Sequence, residues 1–100
     1  MRIIALSTLK GFWESDSGVA DVREPALAWH AFAKAAHWSS PMEIKRDFGS
    51  ASILKGGRVV FNLAGNKYRL VVRVNYAYQV IYIRFIGTHA QYDAIDAHEI

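Results

Sequence analysis

The sequence contains no cysteine, which excludes a disulfide framework and any metal site built from thiolates. It also has no long apolar run: no segment approaches the roughly 18 residues of a membrane span, and the opening MRIIALSTLK is too short an apolar run for a secretion signal. The sequence has no glycine-rich phosphate-binding loop, because Gly56 and Gly57 precede a predicted strand and not a helix. We therefore expect a cytoplasmic protein with no membrane contact and no bound cofactor.

The 100 residues suffice for one hydrophobic core, and 52% of them are hydrophobic. We therefore expect a single domain over residues 1–100. Its charge is unevenly distributed. Residues 1–39 hold four bases and four acids, residues 40–89 eight bases and two acids, and residues 90–100 three acids and no Lys or Arg. A surplus of 8 − 2 = +6 on the middle segment predicts attraction to a polyanion. A basic surface that is merely solvated would have the same charge distribution.

Helical patterns occupy the first half of the chain. MRIIAL predicts a short strand, and Leu9, Phe12 and Trp13 share one face of a short helix after it. A second helix begins near Pro25, and SPMEIKRDFG predicts a third that starts at Pro41 with a capping box. The expected buried stripe of the second helix is Trp29, Phe32, Ala33 and Ala36.

From residue 52 onward the hydrophobic period changes to two, which predicts an antiparallel meander. Gly65 and Asn66 suit the positive φ angles of a two-residue turn, so Asn62 faces Arg69 across the first hairpin. The second hairpin turns within NYAYQ. The expected pairs around these turns are Ala64–Lys67, Asn62–Arg69, Val60–Val71, Arg58–Arg73, Arg73–Tyr82 and Val71–Arg84.

This register separates two faces of the sheet. The first is wholly apolar or aromatic and is expected to pack on the helices: Val59, Phe61, Leu63, Tyr68, Leu70, Val72, Val74, Ile81, Ile83 and Phe85. The second is expected to be exposed or functional: Arg58, Val60, Asn62, Lys67, Arg69, Val71, Arg73, Tyr82, Arg84 and Ile86. The predicted class is α+β, with an N-terminal strand and two to three helices on one face of the meander and a short C-terminal helix.

Cations crowded on the second face would repel one another without an anion between them. Several guanidinium forks on a rigid sheet make a clamp for phosphate oxygens. The alternative is that Asp93, Asp96 or an acidic partner protein neutralises them.

The segment GTHAQYD directly follows the last predicted strand, and Thr88 and Gln91 have capping-box spacing. His89 and Tyr92 then lie one turn apart at the edge of the basic face. Such groups beside arginines suit RNA cleavage by an internal 2′-hydroxyl, which needs an acid, a base and cations on the phosphate but no metal. The acids and histidines between His89 and Glu99 match no zinc or calcium spacing.

Several stretches resemble the HigB branch of the RelE-like toxins. They are MRIIALSTLKGFW, FGSAS, VVFNLAGNKYRLVV, YIRFIGTH and THAQYD, so the similarity extends over nearly the whole chain. The pattern positions are Asn62, Gly65, Asn66, Arg69, Arg84, Thr88, His89, Tyr92 and Asp93.

This resemblance implies a toxin of a bacterial toxin-antitoxin module that cleaves mRNA in the ribosomal decoding site. It also implies a cognate HigA-like helix-turn-helix antitoxin, with DNA contacted only indirectly through the toxin-antitoxin complex. The expected catalytic residues are Arg69, Arg84, His89 and Tyr92. The expected RNA-binding residues are Asn62, Asn66, Lys67 and Arg73. Lys67 and Arg73 are not part of the family pattern, so their expected role follows only from the alternation that places them on the basic face.

Two other functions fit the same basic face. One is a noncatalytic RNA-binding or ribosome-binding module, in which His89 would be dispensable. The other is an interaction protein whose arginines receive an acidic partner segment.

Overall fold

The structure, a computed structural model, describes residues 1–100 and has the predicted α+β class. The strands are β1 (Arg2–Ile4), β2 (Ser52–Ile53), β3 (Arg58–Leu63), β4 (Tyr68–Asn75) and β5 (Val80–Thr88). The helices are α1 (Leu6–Ser15), α2 (Arg23–Ala35), α3 (Pro41–Asp47) and α4 (His89–Asp93), with short 3₁₀ segments at Ser17–Val22 and Lys55–Gly57. None of the helices has both the length and the apolar character needed to cross a membrane.

The five strands form one sheet in the order β1-β5-β4-β3-β2. All neighbouring pairs are antiparallel except β1 with β5, which are parallel. The first hairpin has the predicted register, with Asn62 opposite Arg69 and Arg58 opposite Arg73. This register places the basic side chains of β4 on the face away from the helices, because neighbouring residues of a strand point to opposite faces.

A β-bulge in β5 makes part of the predicted second hairpin wrong. Arg73 lies opposite Tyr82 as expected, but Val72 pairs with Ile83 and Val71 with Phe85, so Arg84 is an extra residue between two pairs. An extra residue reverses the facing of everything beyond it. Consequently Ile86 belongs to the main core, at 8% exposure, and Phe85 lies on the opposite face. The sequence analysis had exchanged these two.

The helices cover the first face of the sheet and close the main core around it. Trp29 meets Phe61 edge to face with ring centroids 5.4 Å apart, and Trp38 stacks on Phe61 at 6.3 Å. Phe32 was predicted to be buried but is 47% exposed, because it lies at the rim, where its ring packs edge-on against Phe48. Ala26 replaces it in the buried stripe of α2.

The capping contact of α3 and the turn between β3 and β4 each lie one residue earlier than the sequence analysis predicted. Glu43 accepts a hydrogen bond from the backbone N–H of Ser39 at 2.9 Å, and Ser40 makes no side-chain cap of α3. In the turn between β3 and β4 the positive φ angles belong to Ala64 (52°) and Gly65 (65°), not to Gly65 and Asn66. The strands on either side keep their register, so the position of the site does not change.

Candidate active site

The C-terminal helix α4 starts where β5 ends, and its capping box fixes the first turn. Thr88 Oγ1 accepts from the N–H of Gln91 at 3.2 Å, and Gln91 Oε1 accepts from the N–H of Thr88 at 2.8 Å. This confirms the predicted capping pair. His89 is the first residue of the helix, so the cap determines where its backbone leaves the sheet.

Gly87 is a residue of this region that the sequence analysis did not identify. It lies opposite Arg69 in the sheet. A Cβ atom at Gly87 would be 2.6 Å from Phe85 Cζ and 2.8 Å from Gln91 Oε1, closer than real Cβ atoms approach. A larger residue at this position would have to displace the ring of Phe85 and the capping side chain of Gln91.

Two contacts hold His89. Its backbone N–H donates to the carbonyl oxygen of Lys67 at 3.2 Å, which ties α4 to the β3–β4 turn. Its Nδ1 lies 3.2 Å from Asp93 Oδ2, one helical turn later. A carboxylate this close to one ring nitrogen helps to orient the imidazole. Both side chains are about half exposed, at 54% and 62%, so a substrate can reach them.

Arg69 and Tyr92 come together at the same end of the sheet. The guanidinium carbon of Arg69 lies 5.8 Å from the centroid of the Tyr92 ring, and its Nη1 donates to the carbonyl oxygen of Asn66 at 3.2 Å. A guanidinium over an aromatic face is held by the ring quadrupole and keeps most of its donors free. Arg69, His89 and Tyr92 thus lie on two adjoining elements: Arg69 on β4, and His89 and Tyr92 on α4.

Lys67 already has a carboxylate partner. Its Nζ lies 2.5 Å from Asp21 Oδ2, and Asp21 also accepts a hydrogen bond from the hydroxyl of buried Tyr68. Hydrogen bonds from Lys67 and Tyr68 hold the pKa of Asp21 below its usual value, and the bond to Asp21 raises the pKa of Lys67. The pKa of the Tyr68 hydroxyl is raised by burial and by Asp21. Asp21 lies in the 3₁₀ segment Ser17–Val22, and nothing in its sequence surroundings indicated this contact.

Asn62 and Asn66 both make local contacts. Asn62 Nδ2 donates to the carbonyl oxygen of Ser50 at 3.2 Å and so holds the segment that leads into β2. Asn66 is exposed in the turn, where its backbone carbonyl oxygen accepts the hydrogen bond from Arg69.

The remaining predicted residues, Arg73 and Arg84, lie elsewhere on the sheet. They line an open pocket of about 630 Å³ together with Tyr82, the turn at Gly56 and Gly57, and the end of β4. The structure therefore divides the predicted residues into a group around Arg69, His89 and Tyr92, which we call the α4 group, and a group of Arg73, Tyr82 and Arg84, which we call the pocket group.

The C-terminal segment covers the middle of the second face, which was expected to be open. Ala97 is buried with Val60 and Val71 in a small second core, against which Phe85 and Tyr92 also pack. Arg58, beside Arg73 in the sheet, donates from Nε to the carbonyl oxygen of Ile100 at 2.8 Å. No three side chains of His, Cys, Asp or Glu lie close enough together to hold a metal ion.

Comparison with known proteins gives one family match. Residues 22–95 match the family model HigB_toxin, described as the RelE-like toxic component of a toxin-antitoxin system. The match includes every residue of the α4 group and of the pocket group. No curated protein matches the chain.

Proposed function

The chain belongs to the HigB family of RelE-like toxins, toxic components of toxin-antitoxin systems, and from this we propose that it is an endoribonuclease that cleaves mRNA on the ribosome. The observation that carries the proposal is the α4 group: a cation, an imidazole and a phenol gathered at one exposed end of a rigid sheet. These are the groups that phosphodiester cleavage without a metal requires.

In the proposed reaction the 2′-oxygen of the substrate attacks the adjacent phosphorus while the bond from phosphorus to the 5′-oxygen breaks. One side chain takes the 2′ proton and another protonates the departing 5′-oxygen, giving a 2′,3′-cyclic phosphate and a free 5′-hydroxyl. His89 is the leading acid or base, because its imidazole is exposed and oriented by Asp93. Arg69 stabilises the charge that builds on the phosphorus oxygens, and Tyr92 assists a proton transfer or stacks on a base.

The binding residues of the proposal are those around the β3–β4 turn. Asn66 is exposed there beside Arg69, and Asn62 lies opposite Arg69 on β3. Lys67 contributes positive charge at the edge of the α4 group while it stays paired with Asp21. Arg84 was predicted to share the catalytic role of Arg69, but it lies in the pocket group, and we assign it a different task below.

A toxic component implies an antitoxin that restrains it. We propose a HigA-like helix-turn-helix antitoxin, so that the toxin meets DNA only within the toxin-antitoxin complex. Since the proposed substrate is mRNA on translating ribosomes, the site of action is the cytoplasm.

The test is primer extension on a defined mRNA incubated with the purified protein, with and without translating ribosomes. We expect cuts at codon-related positions that require ribosomes and that weaken about 10²-fold or more in His89→Ala. His37→Ala is the matched control, because His37 is exposed between α2 and α3, outside the α4 group. Cuts on naked RNA would remove the ribosome from the proposal. Absence of cuts by folded protein under both conditions would favour a noncatalytic RNA-binding module.

A further inference from the structure

The pocket group contains two arginines without a counter-ion in the chain. Arg73 and Arg84 are both exposed, and neither forms a salt bridge or a side-chain hydrogen bond. Other exposed cations, such as Lys34 and Lys55, are also unpaired, but neither lines a pocket with a second cation. Two cations that share one pocket repel each other until an anion enters between them.

The backbone builds this pocket with features that a merely solvated surface does not require. Gly57 has φ of 78°, and a Cβ there would be 2.6 Å from the carbonyl oxygen of Val74. The turn before β3 can therefore approach β4 closely only because it carries glycine. On the other side, the bulge in β5 gives Arg84 a position outside the regular pairing, from which it lines the same pocket as Arg73.

An aromatic side chain lines the same pocket as the two cations. Tyr82 lines the pocket, is 39% exposed and sits directly opposite Arg73 in the sheet. Side chains directly opposite on one face have Cβ atoms about 5 Å apart. An exposed ring next to phosphate-binding forks is the arrangement that binds single-stranded nucleic acid, since every base has a face to stack and every nucleotide has a phosphate.

We propose that the pocket group is a second RNA subsite, which holds one nucleotide of the single strand outside the bond that is cleaved. The phosphate of this nucleotide lies between Arg73 and Arg84, and its base stacks on Tyr82. This proposal rests on the proposed function, since it takes the strand held at the α4 group to be the same RNA. Arg69 and Arg73 are four residues apart on β4, so the two subsites are separated by about 13 Å along the sheet.

An acidic peptide would be the other ligand for two free arginines. It would use the charges of Arg73 and Arg84 but has no need of an aromatic face in the same pocket. The position of Tyr82 therefore favours RNA, and the two ligands can be separated by experiment.

The probe is a fluorescent single-stranded RNA of about eight nucleotides, a length that one small domain can cover, with 2′-O-methyl groups throughout so that it cannot be cleaved. Binding to the full chain is measured by fluorescence anisotropy at several salt concentrations. The pocket variants are Tyr82→Leu, Arg73→Gln and Arg84→Gln. Matched controls are Tyr78→Leu, an exposed tyrosine that does not line the pocket, and Lys34→Gln, which removes one positive charge from α2.

We expect each pocket variant to bind about tenfold more weakly, with controls like wild type. The slope of log affinity against log salt concentration should become shallower by about one for each arginine variant, because one phosphate contact is lost. It should stay unchanged for Tyr82→Leu. Wild-type affinity in folded Tyr82→Leu, or wild-type protein that binds a polyglutamate peptide and not the RNA, would overturn the proposal.

The ribosome assay run in parallel separates this inference from the proposed function. If the wild type cleaves mRNA but all three pocket variants bind RNA as the wild type does, the proposed subsite is wrong and the proposed nuclease activity stands. If RNA binding depends on the pocket residues but no cleavage occurs, the proposed subsite stands and the proposed nuclease activity is wrong.

Discussion

The guanidinium of Arg69 lies over the ring of Tyr92, with 5.8 Å between its central carbon and the ring centroid. The two residues belong to β4 and α4, so this contact fixes the C-terminal helix over the end of the sheet. It also holds the guanidinium without a salt bridge, which leaves its donors for an incoming phosphate.

Arg69→Ala should lower the rate of mRNA cleavage about 10²-fold or more, because it removes the cation that stabilises charge on the phosphorus oxygens. The measurement is the rate of cutting on ribosome-bound mRNA. Arg46→Ala is the matched control, since Arg46 is an exposed arginine on α3 that pairs with Asp47. Equal rates for the two variants would contradict the role of Arg69.

Asp93→Asn should slow cleavage through His89, because the carboxylate orients the imidazole without contacting the substrate itself. A double-mutant cycle tests this. In His89→Ala the additional change Asp93→Asn should cost little, whereas in the wild type it should cost clearly more, since residues that act as a unit are not additive. Equal effects in both backgrounds would mean that Asp93 acts independently of His89.

The sequence predicted most of the sheet, and the reason for the error in its strand pairing is physical. Alternation along β3 and β4 identified the core face, because every residue of these strands that points inward is apolar or aromatic. The bulge at Arg84 was not predictable, because an extra residue shifts the pattern without leaving its own mark in the sequence. Phe85 and Ile86 are both apolar, so hydrophobicity could not reveal that they had exchanged faces.

The site was predictable where its residues are close in sequence and not where the fold brings distant ones together. The capping box follows from the spacing of Thr88 and Gln91 within one helix. The His89–Asp93 pair also lies within that helix, but the sequence analysis considered Asp93 only as a partner of the arginines. The contact of Asp21 with Lys67 spans 46 residues, and the division of the arginines into two groups depends on the bulge and on the buried position of Ala97. Long-range contacts of this kind are set by packing, which the local pattern does not contain.

Asp21→Asn should remove a pH-dependent part of the stability. The pKa of Asp21 is lowered in the folded chain from an ordinary value of 3.8 by its bonds with Lys67 and Tyr68. The folded state therefore binds its proton less readily than the unfolded state, so the contribution is present above 3.8 and is lost as the pH falls through the lower folded value. Urea midpoints should differ between wild type and Asp21→Asn at pH 7 and converge on acidification. Glu14→Gln, an exposed acid without a partner, is the control, and a difference that persists unchanged at low pH would contradict this linkage.

Gly57→Ala should destabilise the fold by at least about 1–2 kcal/mol, the cost of a left-handed backbone for a residue with a Cβ. The added methyl would also meet the carbonyl oxygen of Val74 at 2.6 Å, so β4 or the turn would have to shift. Gly11→Ala is the opposite case within the same chain. Gly11 lies inside α1 with open space where its Cβ would be, and alanine there should stabilise the fold by about 1 kcal/mol. Urea unfolding of the two variants should therefore move the midpoint in opposite directions, and a Gly57→Ala midpoint at or above that of wild type would show that the turn does not need glycine to reach β4.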